Sequence, residues 1–358
     1  FTLHQGRAQF EHRRVAVVRD RADAIAVLSG DNPKRMFTHS AIENAVGAVF
    51  LLPGGGAQHV GMARRLFEED ARFRSFVEEG FSYLEPAIAD EIRAVWFATG
   101  GDKTAEGKTF LRPSLQLPAI LIVEVAIARL WKDWGVSPKA LIGHSMGEYA
   151  AACISGVMSY RDAVNLVRLR GELFDIVEPG GMLSVPVSVE TLKSLLPASL
   201  DIASVNAPEL CVVSGRDEDL ALFQAELAEK GIDASRVAID IAAHSRMLDG
   251  ILPRFEAFVR SIRLNPPTIP IMSNLAGHWL TNADACDPTY WVRHLRSTVL
   301  FNDGMARLSL QPGQVYIEIG PGRTLSSLAK MQTNIDANQV INTLPHADDD
   351  ADDRLHFL

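Results

Sequence analysis

Residues 139–156, KALIGHSMGEYAAACISG, read as a short apolar strand, a sharp turn and a helix. Ser145 stands at the turn, between Gly143 and Gly147, in the spacing G-x-S-x-G. Strand, turn and helix in that order are the setting of a nucleophile on an α/β sheet. Glycine on each side lets the backbone turn tightly and leaves Oγ exposed above the sheet edge. The first amides of the helix then point at any negative charge that develops beside it. A serine in this spacing without that context is more simply a helix N-cap.

The rest of the chain supplies the context. At 358 residues it has room for one large α/β unit with an inserted subdomain, or for two smaller domains. An apolar content of 47% supports a sizeable core and argues against disorder. The strand-like AVFLLPGGGAQ (48–58) runs into a glycine-rich loop, and PAILIVEVAIARLWKDW (118–134) reads as a buried helix starting at Pro118. Between 180 and 239 the elements alternate β-α-β-β-α-β, the pattern of a ferredoxin-like subdomain. The expected division is a short leading segment at 1–45, a large subdomain at 46–179 and 240–340, the small subdomain at 180–239, and the start of a further linker at 341–358, in which HADDDADDRLHFL (346–358) reads as a solvated acidic tail. The fold class is thus α/β: an α/β-hydrolase-like large subdomain on a mostly parallel sheet, with a ferredoxin-like insertion.

Composition excludes other classes. A formal net charge of -9 discourages nucleic-acid binding. Three scattered cysteines, Cys153, Cys211 and Cys286, form neither a disulfide framework nor a metal cluster, and they suit a reducing, cytoplasmic setting. No apolar run reads as membrane-spanning, and no metal is called for. The chain opens without Met, on FTLHQGRAQFEHRRVAVV, and is expected to be part of something longer.

A serine hydroxyl needs a base. His144 adjoins the nucleophile but should point away from it, whereas His244, in AAHSRM, lies where the chain returns from the insertion. A buried, hydrogen-bonded histidine is the plainer reading of either. Gly54, Gly55 and Gly56 permit close backbone approach and offer N–H groups, as an oxyanion hole needs; an ordinary tight turn is the alternative. No G-K-[ST] follows them, so the loop is not a P-loop, and G-x-G-x-x-G is missing. Arg170, in VRLRGELF, is either a surface residue or a guanidinium that holds a substrate carboxylate through two hydrogen bonds.

Together these segments resemble the acyltransferase domains of modular type I polyketide synthases and the malonyl-CoA:acyl carrier protein transacylases. The likeness rests on VFLLPGGGAQ, GHSMGE, RLRG, SVNAPELCVVSG, AAHS, YWVRHLRSTVLF and IEIGPGRTL, in that order along the chain. The opening residues resemble part of a ketosynthase–acyltransferase linker, and 341–358 the start of the linker that follows.

The resemblance implies a role for each matched position. Ser145 would attack the acyl-CoA thioester, with His244 as its base. The backbone N–H groups of Gly55 and Met146 would form the oxyanion hole, and Arg170 would pair with a malonyl-type carboxylate. A backbone carbonyl at or near Ser297 would orient His244. No cofactor is implied beyond acyl-CoA as substrate and the phosphopantetheine of a partner acyl carrier protein; an adjacent ketosynthase is the other partner. The chain departs from the family's pattern in having Gly55 for glutamine and Leu117–Pro118 for Gln-Pro, with Gln116 one place early.

The expected specificity pocket comprises Gln116, Met146, Ile241, Ala242 and Ala243. Small Ala243 leaves room for methylmalonyl, whereas apolar Met146 tips the expectation to malonyl. One methyl group is worth only about 1–3 kcal/mol in such a pocket. The rival readings are a serine hydrolase (an esterase or a patatin-like lipase), which would gain nothing from Arg170, and a catalytically silent structural domain.

Overall fold

The computed structural model describes residues 10–31, 35–40, 47–98, 103–349 and 352–357. Parts of the expected leading segment, residues 1–9, 32–34 and 41–45, therefore lie outside the described residues. Within it, β1 (His12–Ala16) and β2 (Met36–Ser40) pair antiparallel, with a helix at Arg21–Leu28 between them.

The apolar run after Gly47 forms β3 (Gly47–Leu52), buried from Ala48 onward as the middle strand of a covered sheet should be. It pairs in parallel with β4 (Pro138–Gly143). The insertion follows as β5 (Gly181–Val185), β6 (Asp201–Ala207), β7 (Leu210–Gly215) and β8 (Ser235–Arg236), with helices Val189–Leu195 and Asp217–Glu229. These strands form an antiparallel sheet in the order β6-β7-β5-β8, the ferredoxin-like arrangement that the alternation of elements anticipates. The chain then returns to the large sheet through β9 (Ile271–Met272), β10 (Gln314–Glu318) and β11 (Val340–Asn342). That sheet is wholly parallel, in the order β11-β10-β3-β4-β9.

Two helices position the site. The central helix runs Pro113–Asp133, so it begins at Pro113, with Pro118 inside it, and not at Pro118 as expected from sequence. Pro113 has the pre-set φ that suits a first turn, and burial of nearly every residue from Ser114 to Leu130 outweighs the hydrogen bond that an interior proline forfeits. Contrary to the expectation from sequence, this helix is long and apolar enough to cross a membrane, with a mean hydropathy of 1.5, but 89% of that window is buried in the protein. Beside it lies the Tyr160–Asp175 helix, capped by Ser159, whose Oγ accepts from the Asp162 N–H at 3.1 Å.

The acidic tail is not wholly solvated. Within it Asp353–Phe357 forms a short helix against the body of the protein, while Ile341 and Asn342, placed from sequence in the following linker, belong to the last strand of the large sheet. There Asp353 accepts from the Arg65 N–H at 3.1 Å, Arg354 pairs with Glu69, and the Phe357 ring lies 5.8 Å from Trp131 and 5.2 Å from Trp134. One buried aromatic thus anchors an otherwise polar stretch, which charge counting alone misses. Phe357→Ala should free this helix and red-shift the tryptophan emission of the native protein. An unchanged spectrum would show that Phe357 does not hold it.

Candidate active site

Ser145 adopts φ +52°, the left-handed region that a serine rarely occupies. Sterics force the turn: a Cβ at Gly147 would lie 1.9 Å from the Leu52 carbonyl oxygen, so only glycine lets the Gly147–Ile154 helix pass the end of β3. The elbow is also clamped by one side chain. Asn274, just beyond β9, accepts from the Ser145 N–H at 2.8 Å and donates through Nδ2 to the Gly143 carbonyl at 2.7 Å.

Asn274 is held in turn by Glu148, whose Oε2 accepts from the Asn274 N–H at 2.7 Å. The other Glu148 oxygen accepts from the Tyr290 hydroxyl. Burial raises the Glu148 carboxyl to about 7, against the opposing pull of these two donors. Sequence reasoning singles out neither Asn274 nor Glu148. The only signal in the chain is their position, Glu148 within the serine motif and Asn274 at the end of TIPIMSN.

Ser145 Oγ sits between two groups. His244 Nε2 lies 2.7 Å away, and Arg170 Nη2 donates to the oxygen at 2.9 Å. His244 also has a positive φ, +57°, and its Nδ1 donates to the Ser297 carbonyl at 2.9 Å. With Nδ1 carrying the proton, Nε2 is free to accept from the serine hydroxyl. Burial, then the charge of Arg170, lowers His244 to about 3, which keeps the imidazole neutral. His144 turns elsewhere: its Nε2 donates to Asn206 Oδ1 at 2.8 Å, tying the elbow to β6.

Arg170 is 2% exposed and lies over the rings of Tyr149 and Phe174, at 5.4 and 5.1 Å. Its Nε and Nη1 are buried without a hydrogen-bond partner among the described residues. Burial pulls its guanidinium below the ordinary range, yet it remains a cation. A buried cation with donors to spare is a site for an anion.

These groups face a cavity, partly open to solvent, between the large sheet and the inserted subdomain. Gly55, expected from sequence in the oxyanion hole, and Gln116, Ile241 and Ala243, from the expected specificity pocket, line it. Gln116 Oε1 accepts from the Gly56 N–H at 3.2 Å and so supports the glycine loop. Met146 and Ala242 do not line the cavity. Both are fully buried, Met146 in the core beneath the elbow and Ala242 against Gly180, so neither contacts its contents directly. Phe174, Met182, Ser204 and Ile239 line the cavity without any signal in the sequence, because residues from both subdomains meet only in the folded chain.

A sequence model of the family described as acyl transferase domain matches residues 49–358. The chain is 32% identical over 356 residues to a component of the phenolphthiocerol/phthiocerol polyketide synthase of Mycobacterium tuberculosis, covering 96% of this chain but 24% of that protein. Among solved structures it is similar to the acyl transferase domain of ZmaA, with TM-score 0.90 and 33% identity over 99% of this chain and 82% of that one. It is also similar to the acyl transferase domain of SpnD in complex with 2-(pent-4-yn-1-yl)malonyl, with TM-score 0.89 and 33% identity over 99% and 84% of the two chains.

The Asn274 clamp has a measurable consequence. Asn274→Ala leaves the Ser145 N–H without its acceptor, a loss of about 1–3 kcal/mol for a buried donor. Reactivity of Ser145 toward a fluorophosphonate should fall by roughly tenfold to a hundredfold. A variant that loses thermal stability but keeps full serine reactivity would show Asn274 to be merely structural.

Proposed function

The chain belongs to the acyl transferase domain family, and from that membership we propose that it carries a malonyl-type acyl group from coenzyme A to the phosphopantetheine thiol of an acyl carrier protein, through a covalent intermediate on Ser145. The observation that carries this reading is the placement of Ser145 Oγ between His244 Nε2 and a buried Arg170 with two unpartnered donors. A general serine hydrolase has no use for such a cation.

In the first half-reaction Ser145 Oγ attacks the thioester carbonyl while its proton passes to His244 Nε2. The carbonyl oxygen becomes an oxyanion, received by the N–H groups of Gly55 and Met146. The C–S bond then breaks, and the imidazolium protonates the departing thiolate. The second half-reaction runs the same steps in reverse order with the carrier-protein thiol as nucleophile. Throughout, Arg170 holds the substrate carboxylate and so fixes one pose.

The acyl group is malonyl or a malonyl carrying a small α-substituent. Room beside Ala243 and the apolar wall of Ile239, Ile241 and Met182 support an α-substituent. The SpnD domain, similar in fold and sequence, was solved with a substituted malonyl. Since Met146 lies outside the cavity wall, the cue that favours malonyl loses its direct contact. The parent protein is proposed to be a polyketide synthase in the cytoplasm, with a ketosynthase beside this domain. The free thiols of Cys153, Cys211 and Cys286 fit that compartment.

The test is intact mass after brief incubation with malonyl-CoA and methylmalonyl-CoA, with no carrier protein present. An acyl adduct that is absent from Ser145→Ala supports the reading. Release of coenzyme A without an adduct would replace it with hydrolysis. Arg170→Ala should lower acylation by malonyl-CoA at least about a hundredfold and acylation by acetyl-CoA less, since both lose the donor to Ser145 Oγ but only the former loses a partner for its carboxylate.

The pH dependence follows from His244. Its folded-state pKa lies far below that of a free imidazole, so the neutral base persists as pH falls. kcat/KM for acylation should stay flat from about pH 7 to about pH 5, where a base with an ordinary pKa near 6.5 would lose roughly thirtyfold. A steep acid limb centred near the ordinary imidazole value would contradict this environment for His244.

A further inference from the structure

Behind the elbow lies a buried polar cluster that the acyl-transfer steps do not use. Glu148, in the first turn of the Gly147–Ile154 helix, and His294, in the Pro288–Arg296 helix, are 0% and 1% exposed. Glu148 Oε2 and His294 Nε2 lie 3.5 Å apart, and among the described residues Nε2 has no hydrogen-bond partner. Among those residues no arginine or lysine pairs with Glu148. An ionised carboxylate at this depth is therefore uncompensated, and the imidazole beside it is half satisfied.

Counting hydrogens through the cluster shows where one is missing. Ser273 Oγ accepts from the Leu275 and Ala276 N–H groups at 3.2 and 3.1 Å, so its own hydrogen goes to the Tyr290 hydroxyl, 2.6 Å away. Tyr290 in turn donates to Glu148 Oε1, and the Asn274 N–H donates to Oε2 at 2.7 Å. On the far side the Tyr149 hydroxyl donates to the Trp291 carbonyl at 3.4 Å, so it accepts from His294 Nδ1–H at 3.3 Å. Burial, with the charges of neighbouring imidazoles and Arg170, holds His294 well below its ordinary range, so the ring is neutral. A neutral imidazole with its hydrogen on Nδ1 presents a lone pair at Nε2. Glu148 Oε2 is the atom placed to supply a hydrogen to it, and burial raises that carboxyl to about 7.

We infer that Glu148 and His294 hold one proton between them, and that this proton makes them a positioning pair that fixes the nucleophile against its base. The two residues stand on the helices that carry the two halves of the site. Glu148 holds Asn274, the clamp on Ser145, whereas the helix of His294 ends at Ser297, whose carbonyl orients His244. The His294 ring also meets that of His244 edge-on, with centroids 6.3 Å apart. With the proton in place, a hydrogen bond bridges the two helices. Without it, a bare carboxylate faces a lone pair and the two repel. The shared proton is not consumed, since acyl transfer moves only the serine and thiol protons. The inference goes beyond the acyl-transfer reading and holds for any electrophile that Ser145 attacks.

The other titratable groups around the pair keep their charge near neutral pH. Burial holds Tyr149 and Tyr290 above their ordinary range and His144 and His244 below theirs, and Arg170 stays a cation. The Leu252–Ser261 helix turns Phe255 toward Tyr149 while its Glu256 and Arg260 pair with each other, and Glu124 of the central helix faces Glu318. The experiment is the rate of Ser145 labelling by a fluorophosphonate as a function of pH. The wild-type rate should fall roughly tenfold between about pH 6 and about pH 9 as the proton leaves, an alkaline limb separate from the acid side that His244 governs. Glu148→Gln, which does not titrate, should label at a rate independent of pH over that range, whatever its level. His294→Phe should move the fall to lower pH, and His294→Gln, whose amide oxygen accepts in place of Nε2, should restore it. A purely structural role lowers the level of labelling without moving the profile. In parallel, an infrared titration of the wild-type protein should lose a carboxylic-acid carbonyl band over the same range, one that Glu148→Gln lacks. A wild-type rate without an alkaline limb, a limb that survives in Glu148→Gln, an unmoved limb in His294→Phe, or the absence of that band overturns the pair.

Discussion

The strained backbone of Ser145 is held by one side chain, and the rest of the site hangs from it. Asn274 spans the elbow, taking the Ser145 N–H and giving Nδ2 to the Gly143 carbonyl. A left-handed serine costs of order 1–3 kcal/mol and persists only where its surroundings over-determine it. Here the determinants are the close passage of Gly147 beneath Leu52 and the Asn274 bridge. The parallel sheet makes both possible. Strands β3, β4 and β9 are adjacent and run the same way, so their C-terminal ends meet at one edge. From that edge come the glycine loop, the elbow and Asn274, each from a different strand. The short β9 therefore matters more than its length suggests, because it sets where Asn274 stands.

The electrostatics of the site follow from burial around the Arg170 guanidinium. His144, His244 and His294 all have pKa values lowered by desolvation, and the charge of Arg170 adds to that effect on His244 and His294. The unliganded cavity is thus positive at Arg170 and neutral at its imidazoles. In the proposed reaction a bound carboxylate cancels the Arg170 charge and removes one of the influences that depress His244. The base then strengthens when the correct substrate arrives. Recognition of the acyl group and activation of the serine become coupled through one guanidinium.

Much of this arrangement is legible in the chain because it is local. G-x-S-x-G between an apolar strand and a helix announces an elbow, and the β-α-β-β-α-β alternation announces the inserted sheet. What stays hidden depends on contacts far apart in sequence. Asn274 lies 129 residues from the serine it clamps. Ser204 lines the cavity from β6, next to a register shift that residue periodicity does not carry. Met146 shows the opposite failure: adjacency to the nucleophile suggests contact with substrate, but the elbow directs its side chain into the core. The tail misleads for a similar reason, since its many acidic residues conceal one aromatic anchor, Phe357.

The partner of His244 bears on why such a site transfers an acyl group instead of hydrolysing it. In a hydrolase the imidazole is backed by a carboxylate, which stabilises the imidazolium and helps it activate water. Here Nδ1 meets the neutral carbonyl of Ser297, so no carboxylate stabilises the imidazolium. The resulting weak base suits a nucleophile that ionises readily. A thiol, with an ordinary pKa near 8.5, meets that condition, whereas water, at about 15.7, does not. Ser145 is the exception among poor acids, because Arg170 Nη2 donates to its Oγ and favours the developing alkoxide. In the proposed reaction the neutral partner of His244 would leave the acyl-enzyme a weaker base than a carboxylate would, and a thiol would be the nucleophile best able to collect the acyl group.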